Sequence, residues 1–312
     1  MIQEFRLLQK IRKKIPQVLQ GSLGLEDDAA VLKGKGSDDW LLTTDCLVEG
    51  VDFFRRKTPA EWVGRKALAI NLSDIAAMGG TPVACLIALG IPGSMSVRWI
   101  EKFYQGLTRL ARQFQTLCVG GDISRAKQFF ASVSLIGRVR RRQYVSRRGA
   151  RPGDRIAVTG RLGGSILGKH LRFEPRVAEG KFLARYFRPS AMMDISDGFA
   201  QDLEHILIQS KVHAKVDLDK IPVSPAAKKM GKGSGTASLR HALTDGEDFE
   251  LLFTLPPRSV TKLNRAWKRY FPKVPLSWVG RIAAGKGKIQ WLCGTEPVSN
   301  PVPGRKGYAH FA

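Results

Sequence analysis

Apolar runs of strand length that break on an aspartate beside glycine or a hydroxyl residue recur along this chain, and they constrain its fold more than any other feature. Leu117-Cys118-Val119 runs into Gly120-Gly121-Asp122, Met192-Met193 into Asp194-Ile195-Ser196-Asp197-Gly198, and Leu41-Leu42 into Thr43-Thr44-Asp45. Such a run reads as a strand whose end turns sharply and presents a carboxylate. Helix-period segments separate these runs. Thr58-Pro59-Ala60-Glu61 offers a capping hydroxyl, a proline at the first helical position and a glutamate three residues after the cap. That pattern predicts a helix through Trp62, Lys66, Leu68, Ile70 and Ile75 to Met78, stopped by Gly79-Gly80.

The same reasoning predicts a hairpin from 29–32 and 40–44, strands at 83–91, 117–120 and 129–139, and a helix at 96–114. Strands follow at 155–159, 192–195, 213–218, 249–255 and 278–282, with helices at 198–209 and 260–270. Phe5, Leu8, Ile11, Ile15 and Leu19 recur at helical spacing and predict an amphipathic helix at the N-terminus. The fold class is α/β (α+β). The arginine- and turn-rich segment 140–154 marks a division into domains 1–139 and 140–312. Residues 226–238, with three lysines and small residues around three glycines, read as a mobile loop.

A chain of 312 residues with 43% hydrophobic content can bury a substantial core. Cys46, Cys85, Cys118 and Cys293 form no C-x-x-C pair, which argues against a zinc site or a disulfide framework and for a reducing cytoplasm. No signal-peptide pattern or membrane-length apolar run is present. The net charge of +24, from 51 basic against 27 acidic residues, favours anionic partners without choosing among nucleic acid, anionic membranes and phosphorylated metabolites. The run from Arg138 to Arg151 holds one aromatic, Tyr144, and matches no recognition module. A solvated basic face is the simpler reading of it, and it argues against a nucleic-acid partner.

In so basic a chain the few acidic residues are informative. Most of Asp27, Asp28, Asp45, Asp74, Asp122, Asp194, Asp197, Glu247 and Asp248 sit at strand ends or beside glycine. Taken singly, each is accounted for as a cap or a turn residue. Taken together, scattered single carboxylates suit several magnesium ions around nucleotide phosphates, and Thr43 and Thr44 add hard oxygen donors. Asn71 and Asp74 share a face of the helix that carries Lys66. Gly163 to His170 nearly matches a phosphate-binding loop, but histidine stands where a metal-binding hydroxyl is required.

In order, DDAAVL, TTDCLVEGVDF, ALAINLSDIAAMGGTP, GGDISR, RRGARPGD, DISDG and GEDFELLF resemble the motif series of the thiamine-monophosphate kinases, within the aminoimidazole-ribonucleotide synthetase-like ATP enzymes. The series spans nearly the whole chain, with GYAHF as a weaker match at its end. The resemblance implies an N-terminal domain that dimerises by pairing sheets into a barrel, a C-terminal α/β domain, and a site in the cleft between them. Its activity would be magnesium-dependent transfer of the ATP γ-phosphoryl group to thiamine monophosphate. The implied metal ligands are Asp28, Thr43, Thr44, Asp45, Asp74, Asp122, Asp194 and Asp197. ATP contacts fall on Tyr104, Gly121, Asp122, Arg147 and Ser196, substrate contacts on Asp52, Glu247 and Tyr308, and the catalytic burden on Asp45, Asp122 and Arg147. Two positions depart from the family pattern: Glu26 replaces a glycine, and Asp52 replaces a substrate-side histidine. Asp52 keeps open another ATP-dependent small-molecule enzyme of the same superfamily.

Overall fold

The computed structural model describes residues 27–302, with Lys10 and Gly307. Apart from Lys10 and Gly307, the expected N-terminal amphipathic helix, Glu26 and the terminal GYAHF segment lie outside these residues. Two sheets, one from each half of the chain, organise the rest. The first contains β1 (Ala30–Leu32), β2 (Asp38–Val48), β3 (Thr81–Ile91), β4 (Leu117–Arg125) and β5 (Phe130–Arg140), in the order β1-β2-β5-β3-β4. Only β3 and β4 pair in parallel; β1 and β2 form the expected hairpin, and β2 lies along the full length of β5.

Two helices pack on one face of this sheet, α1 (Ala60–Ala77) and α2 (Val97–Gln113). α1 is buried around most of its circumference, as its nearly continuous run of Ala, Leu and Ile requires. Glycine permits its close crossing with α2: a Cβ on Gly64 would lie 1.9 Å from the Phe103 carbonyl oxygen. The expected start at Thr58 shifts by one residue. Pro59 occupies the cap position with an extended ψ of 138°, and no side chain caps the helix, so the predicted Thr58–Glu61 capping box does not form. Glu61 pairs instead with Lys102 of α2.

The second sheet joins β6 (Arg155–Thr159), β7 (Ala191–Asp194), β8 (His213–Asp217), β9 (Leu251–Leu255), β10 (Leu276–Ala283), β11 (Ile289–Cys293) and β12 (Glu296–Pro297), ordered β12-β11-β8-β10-β6-β9-β7. Its helices are α3 (Lys169–Arg172), α4 (Val177–Tyr186), α5 (Phe199–Ser210), α6 (Pro225–Met230), α7 (Gly235–Thr244) and α8 (Pro257–Tyr270). The segment expected to be a mobile loop is therefore largely helical. Ser224 caps α6 by accepting the Ala227 N–H at 2.9 Å, with Pro225 in the first turn, and Ser234 caps α7 through Ala237 N–H at 3.2 Å. One serine cap thus opens each of the two helices in a stretch that composition alone reads as unstructured.

One apolar core runs across both halves, because α1 packs on β2 and β5 and also against α4 and β7. α1 is thus the shared wall between the two sheets. Among the described residues no helix is long and apolar enough to cross a membrane.

Candidate active site

A cavity of about 540 Å³ opens where α1, the free edge of β2, the end of β7 and the segment after β5 converge. Its lining inverts the charge of the chain: eight aspartates and Glu247 face only two cations, Lys66 and Arg147. Local geometry explains who arrives there. β1 covers only Trp40 to Leu42 of β2, so Thr43, Thr44 and Asp45 lie on an open edge. Lys66, Ile70 and Asp74 recur every four residues on α1 and face the cavity together. Asp194 ends β7, and the DISDG turn behind it contributes Ser196 and Asp197.

Asp28, Asp74 and Asp194 each bring one carboxylate oxygen within 4.8 Å of the others. Thr43 donates to Asp74, and Ser73 donates to Asp194 Oδ2 at 2.5 Å. Arg147 donates to Asp28 Oδ1 from Nε at 3.2 Å and Nη2 at 2.5 Å, while its backbone N–H reaches Asp27 at 2.6 Å. The other oxygen of Asp28 is buried with no hydrogen-bond partner. Burial, and then repulsion from Asp45 and Asp194, pushes Asp74 well up. Asp194 is pushed up to about 7, first by burial and then by Asp28, and burial also raises Asp45. Burial alone would lower the Arg147 guanidinium, but Asp28 more than offsets it and holds it up. Crowded carboxylates, an orphaned oxygen and an all-oxygen donor set fit a hard divalent cation such as magnesium.

A second group, Asp197, Asp202 and His205, gathers at the start of α5. There Asp202, not Asp197, does the capping work: its Oδ2 accepts the N–H groups of Asp197 at 3.2 Å and Gly198 at 3.0 Å. At the other end of the cavity Asp52 accepts the Val48 N–H at 2.7 Å, and Glu247 pairs with the buried Lys66.

The cavity thus unites Asp28, Thr43, Thr44, Asp45, Asp52, Asp74, Arg147, Asp194, Ser196, Asp197 and Glu247. Tyr104, Gly121 and Asp122 do not line it. Asp45, Val133, Ile87 and Gly121 lie on one row across β2, β5, β3 and β4, so Gly121 stands three strand spacings away, roughly 14 Å. Tyr104 belongs to α2, and Tyr308 lies outside the described residues. Lys66 is the lining residue that sequence reasoning undervalued; its spacing from Asp74 was the available signal. The glycine loop after β6 is closed to phosphate, since Gly163 N–H donates to Asp248 at 2.7 Å, Gly164 N–H to Asp245 at 2.8 Å, and Lys169 binds Glu250 at 3.0 Å.

Comparison with known proteins gives this geometry a context. Residues 26–139 match the family described as AIR synthase related protein, N-terminal domain. The chain is 36% identical to thiamine-monophosphate kinase of Rhodopirellula baltica over 293 residues, which is 91% of this chain and 90% of that protein. It is 34% identical to the enzyme of the same name from Aquifex aeolicus, covering 99% of this chain and 98% of the relative. Among solved structures, AaThiL complexed with AMPPCP and TMP superimposes with a TM-score of 0.82 at 33% identity, covering 99% of this chain and 97% of that one.

Proposed function

The chain belongs to the thiamine-monophosphate kinase family, ATP-dependent enzymes that convert thiamine monophosphate to thiamine diphosphate, and on that premise we propose how its cavity performs the transfer. The observation that carries the reading is the Asp28, Asp74 and Asp194 trio beside Arg147, with Asp45 on the adjoining edge of β2. This arrangement suits two polyanionic phosphates brought together. The acceptor is a phosphate, already ionised near neutrality, so its oxygen attacks the γ-phosphorus in line and no strong general base is required. What remains is positioning and charge.

Asp28, Thr43, Thr44, Asp45, Asp74, Asp194 and Asp197 would hold magnesium, and Asp122, which lies outside this chain's cavity, would join such a site only from a second copy of the chain. Bound there, the metal would supply neutralisation of the phosphate charge. Arg147, fixed by Asp28, directs its guanidinium to the ATP phosphates; Ser196, Tyr104 and Gly121 complete the nucleotide contacts. Asp52, Glu247 and Tyr308 contact the thiamine portion. Asp45, Asp122 and Arg147 carry most of the rate.

We place the division into two units at 139/140. A homodimer fits the outer face of the first sheet, where Trp40, Leu86 and Ile136 alternate with buried Leu41, Ile87 and Leu135 and are 43%, 48% and 40% exposed. Edge strand β4 is exposed along its whole length and is open to pairing. The four free cysteines fit a reducing compartment, the cytoplasm.

The test is to mix the protein with ATP, magnesium and thiamine monophosphate and to follow ADP and thiamine diphosphate with and without chelator. Magnesium-dependent appearance of both products in equal amount is expected. ADP without thiamine diphosphate would redirect the assignment to another acceptor.

A further inference from the structure

The surplus of basic residues is not spread evenly over the chain. Residues 256–275, which include α8, hold six basic residues and no acidic one. Leu263 and Trp267 of α8 turn into the core, and the Trp267 indole N–H donates to the Val274 carbonyl oxygen at 2.7 Å. The opposite face of the helix is thereby fixed outward. Arg258, Lys262, Arg265 and Arg269 recur on that face once per turn, over about 16 Å of helix. With Tyr270 they line a groove of about 490 Å³, and none of them lines the active-site cavity. Among the described residues none of these four cations forms an ion pair.

The groove continues onto α4 through aromatic rings. The Tyr270 and Tyr186 rings each lie 5.3 Å from the Phe182 ring, centroid to centroid, so the two tyrosines flank one phenylalanine. Both stay open to solvent, Tyr186 at 57% and Tyr270 at 59%. Each also carries a cation: the Arg185 guanidinium lies 5.2 Å from the Tyr186 centroid, and that of Arg269 lies 5.7 Å from the Tyr270 centroid. The one acidic residue of α4, Glu179, is buried and faces Arg176 at 3.7 Å. It leaves Arg185 uncompensated. A line of cations therefore ends on two exposed rings, with no carboxylate paired to it among the described residues.

We infer that this face of α8 and α4 binds single-stranded nucleic acid, with phosphates along Arg258, Lys262, Arg265 and Arg269 and bases against Tyr186 and Tyr270. A cationic track beside exposed aromatic rings is the arrangement that holds a strand whose bases are free to stack. A duplex keeps its bases stacked on one another and leaves the rings unused. An anionic membrane asks for an apolar helix face to insert, and that of α8 is already spent on the core. A second copy of the chain brings the same positive charge and is repelled. The arginine-rich run 138–151 has no comparable pair of rings, and the site does not rest on the kinase reading.

The experiment follows the fluorescence anisotropy of labelled, unstructured RNA and DNA strands of about 12 nucleotides, titrated with the full chain at several salt concentrations. Binding of either strand supports the site, and the tighter of the two names its ligand. The slope of log affinity against log salt is expected to be about −3, for four neutralised phosphates. Arg265→Gln combined with Arg269→Gln should weaken binding about tenfold and flatten the slope by about 1.4. Tyr186→Ala combined with Tyr270→Ala should weaken it about fivefold or more with the slope unchanged. Where the alanine variant does not fold, leucine at both positions keeps the packing, removes the rings and should give the same loss. Arg140→Gln combined with Arg151→Gln, in the run 138–151, should change nothing. A control variant as damaging as the α8 variant would mean that the charge acts diffusely and would overturn the site. So would binding indifferent to both tyrosines, equal affinity for the duplex or for polyglutamate, or sedimentation with phosphatidylserine vesicles without any binding to either strand.

Discussion

Gly120-Gly121-Asp122 and Asp194-Ile195-Ser196-Asp197-Gly198 look alike in sequence, each an apolar strand running into glycine and aspartate, yet they reach opposite environments. Asp194 ends the four-residue β7 inside the cavity, 2% exposed and bonded to Ser73. Asp122 lies within β4, an edge strand exposed along its whole length, and its carboxylate accepts only from Ser124 at 3.0 Å among the described residues. The difference is one of context. β7 stops against α1, whereas β4 continues past its glycines to Arg125 as an exposed edge strand. A Gly–Asp motif therefore reports a chain turn or a close approach, and what the carboxylate faces is decided by the neighbouring layer.

The comparison is broken most directly by neutralising each cluster. Asp45→Asn and Asp194→Asn are each expected to lower kcat by about 10³ while far-ultraviolet circular dichroism stays unchanged. An active, folded Asp194→Asn protein would show that the buried trio is structural.

Asp122→Asn is expected to cost less, about 10² in kcat, and in an informative way. If Asp122 serves the site only when a second copy covers β4, then Ile136→Glu, which places a charge on the outer sheet face, should lower both the sedimenting mass and the activity. The double variant should then be no worse than the more damaged single one. Additive losses would mean that Asp122 acts independently of the sheet face.

How much of this was legible beforehand follows the same division. Secondary structure near strong punctuation was readable: Ser96 caps α2 at the predicted residue, accepting the Trp99 N–H at 3.3 Å, and β6 falls on 155–159 as expected. Each site residue that the cavity unites was recognisable by chemistry and by its place in a motif. Two kinds of information were not local. Serine caps, Ser224 two residues before the flexible-looking composition and Ser234 inside it, turned most of 226–238 into helices, and Lys66 became a site residue only because Glu247, 181 positions away, folds onto it. A lysine in a helix carries no mark of its partner.

Protonation offers a tenfold effect. Asp194, held at about 7 by burial and by Asp28, must lose its proton before a cation binds. Magnesium affinity is therefore expected to weaken about tenfold per unit below pH 7, with proton release on binding measurable by calorimetry in two buffers. The sign reverses for stability without metal. The folded-state value lies above that of an unfolded aspartate, so the folded state binds more protons between the two. Stability in chelator should fall as pH rises from about 4 to about 7. Asp194→Asn should weaken both dependences, leaving the parts that the raised Asp74 and Asp45 contribute, and Asp122→Asn should leave both unchanged.

The smallest effect separates the glycines of the two motifs. A Cβ on Gly121 would lie 1.8 Å from the Ile87 carbonyl oxygen, a backbone atom that can yield only if β3 and β4 part. At Gly120 the nearest atom is a Leu86 side-chain carbon at 3.5 Å, an ordinary contact. Gly121→Ala is therefore expected to destabilise by about 2 kcal/mol, a few degrees in Tm, and Gly120→Ala by less. Since β4 carries Asp122, the Gly121 change should also weaken activity in proportion to how far the strand is displaced. A Gly121→Ala protein with an unchanged Tm would mean that β4 already stands further from β3 than drawn, and that the glycine pair is kept for room at the phosphate rather than for strand packing.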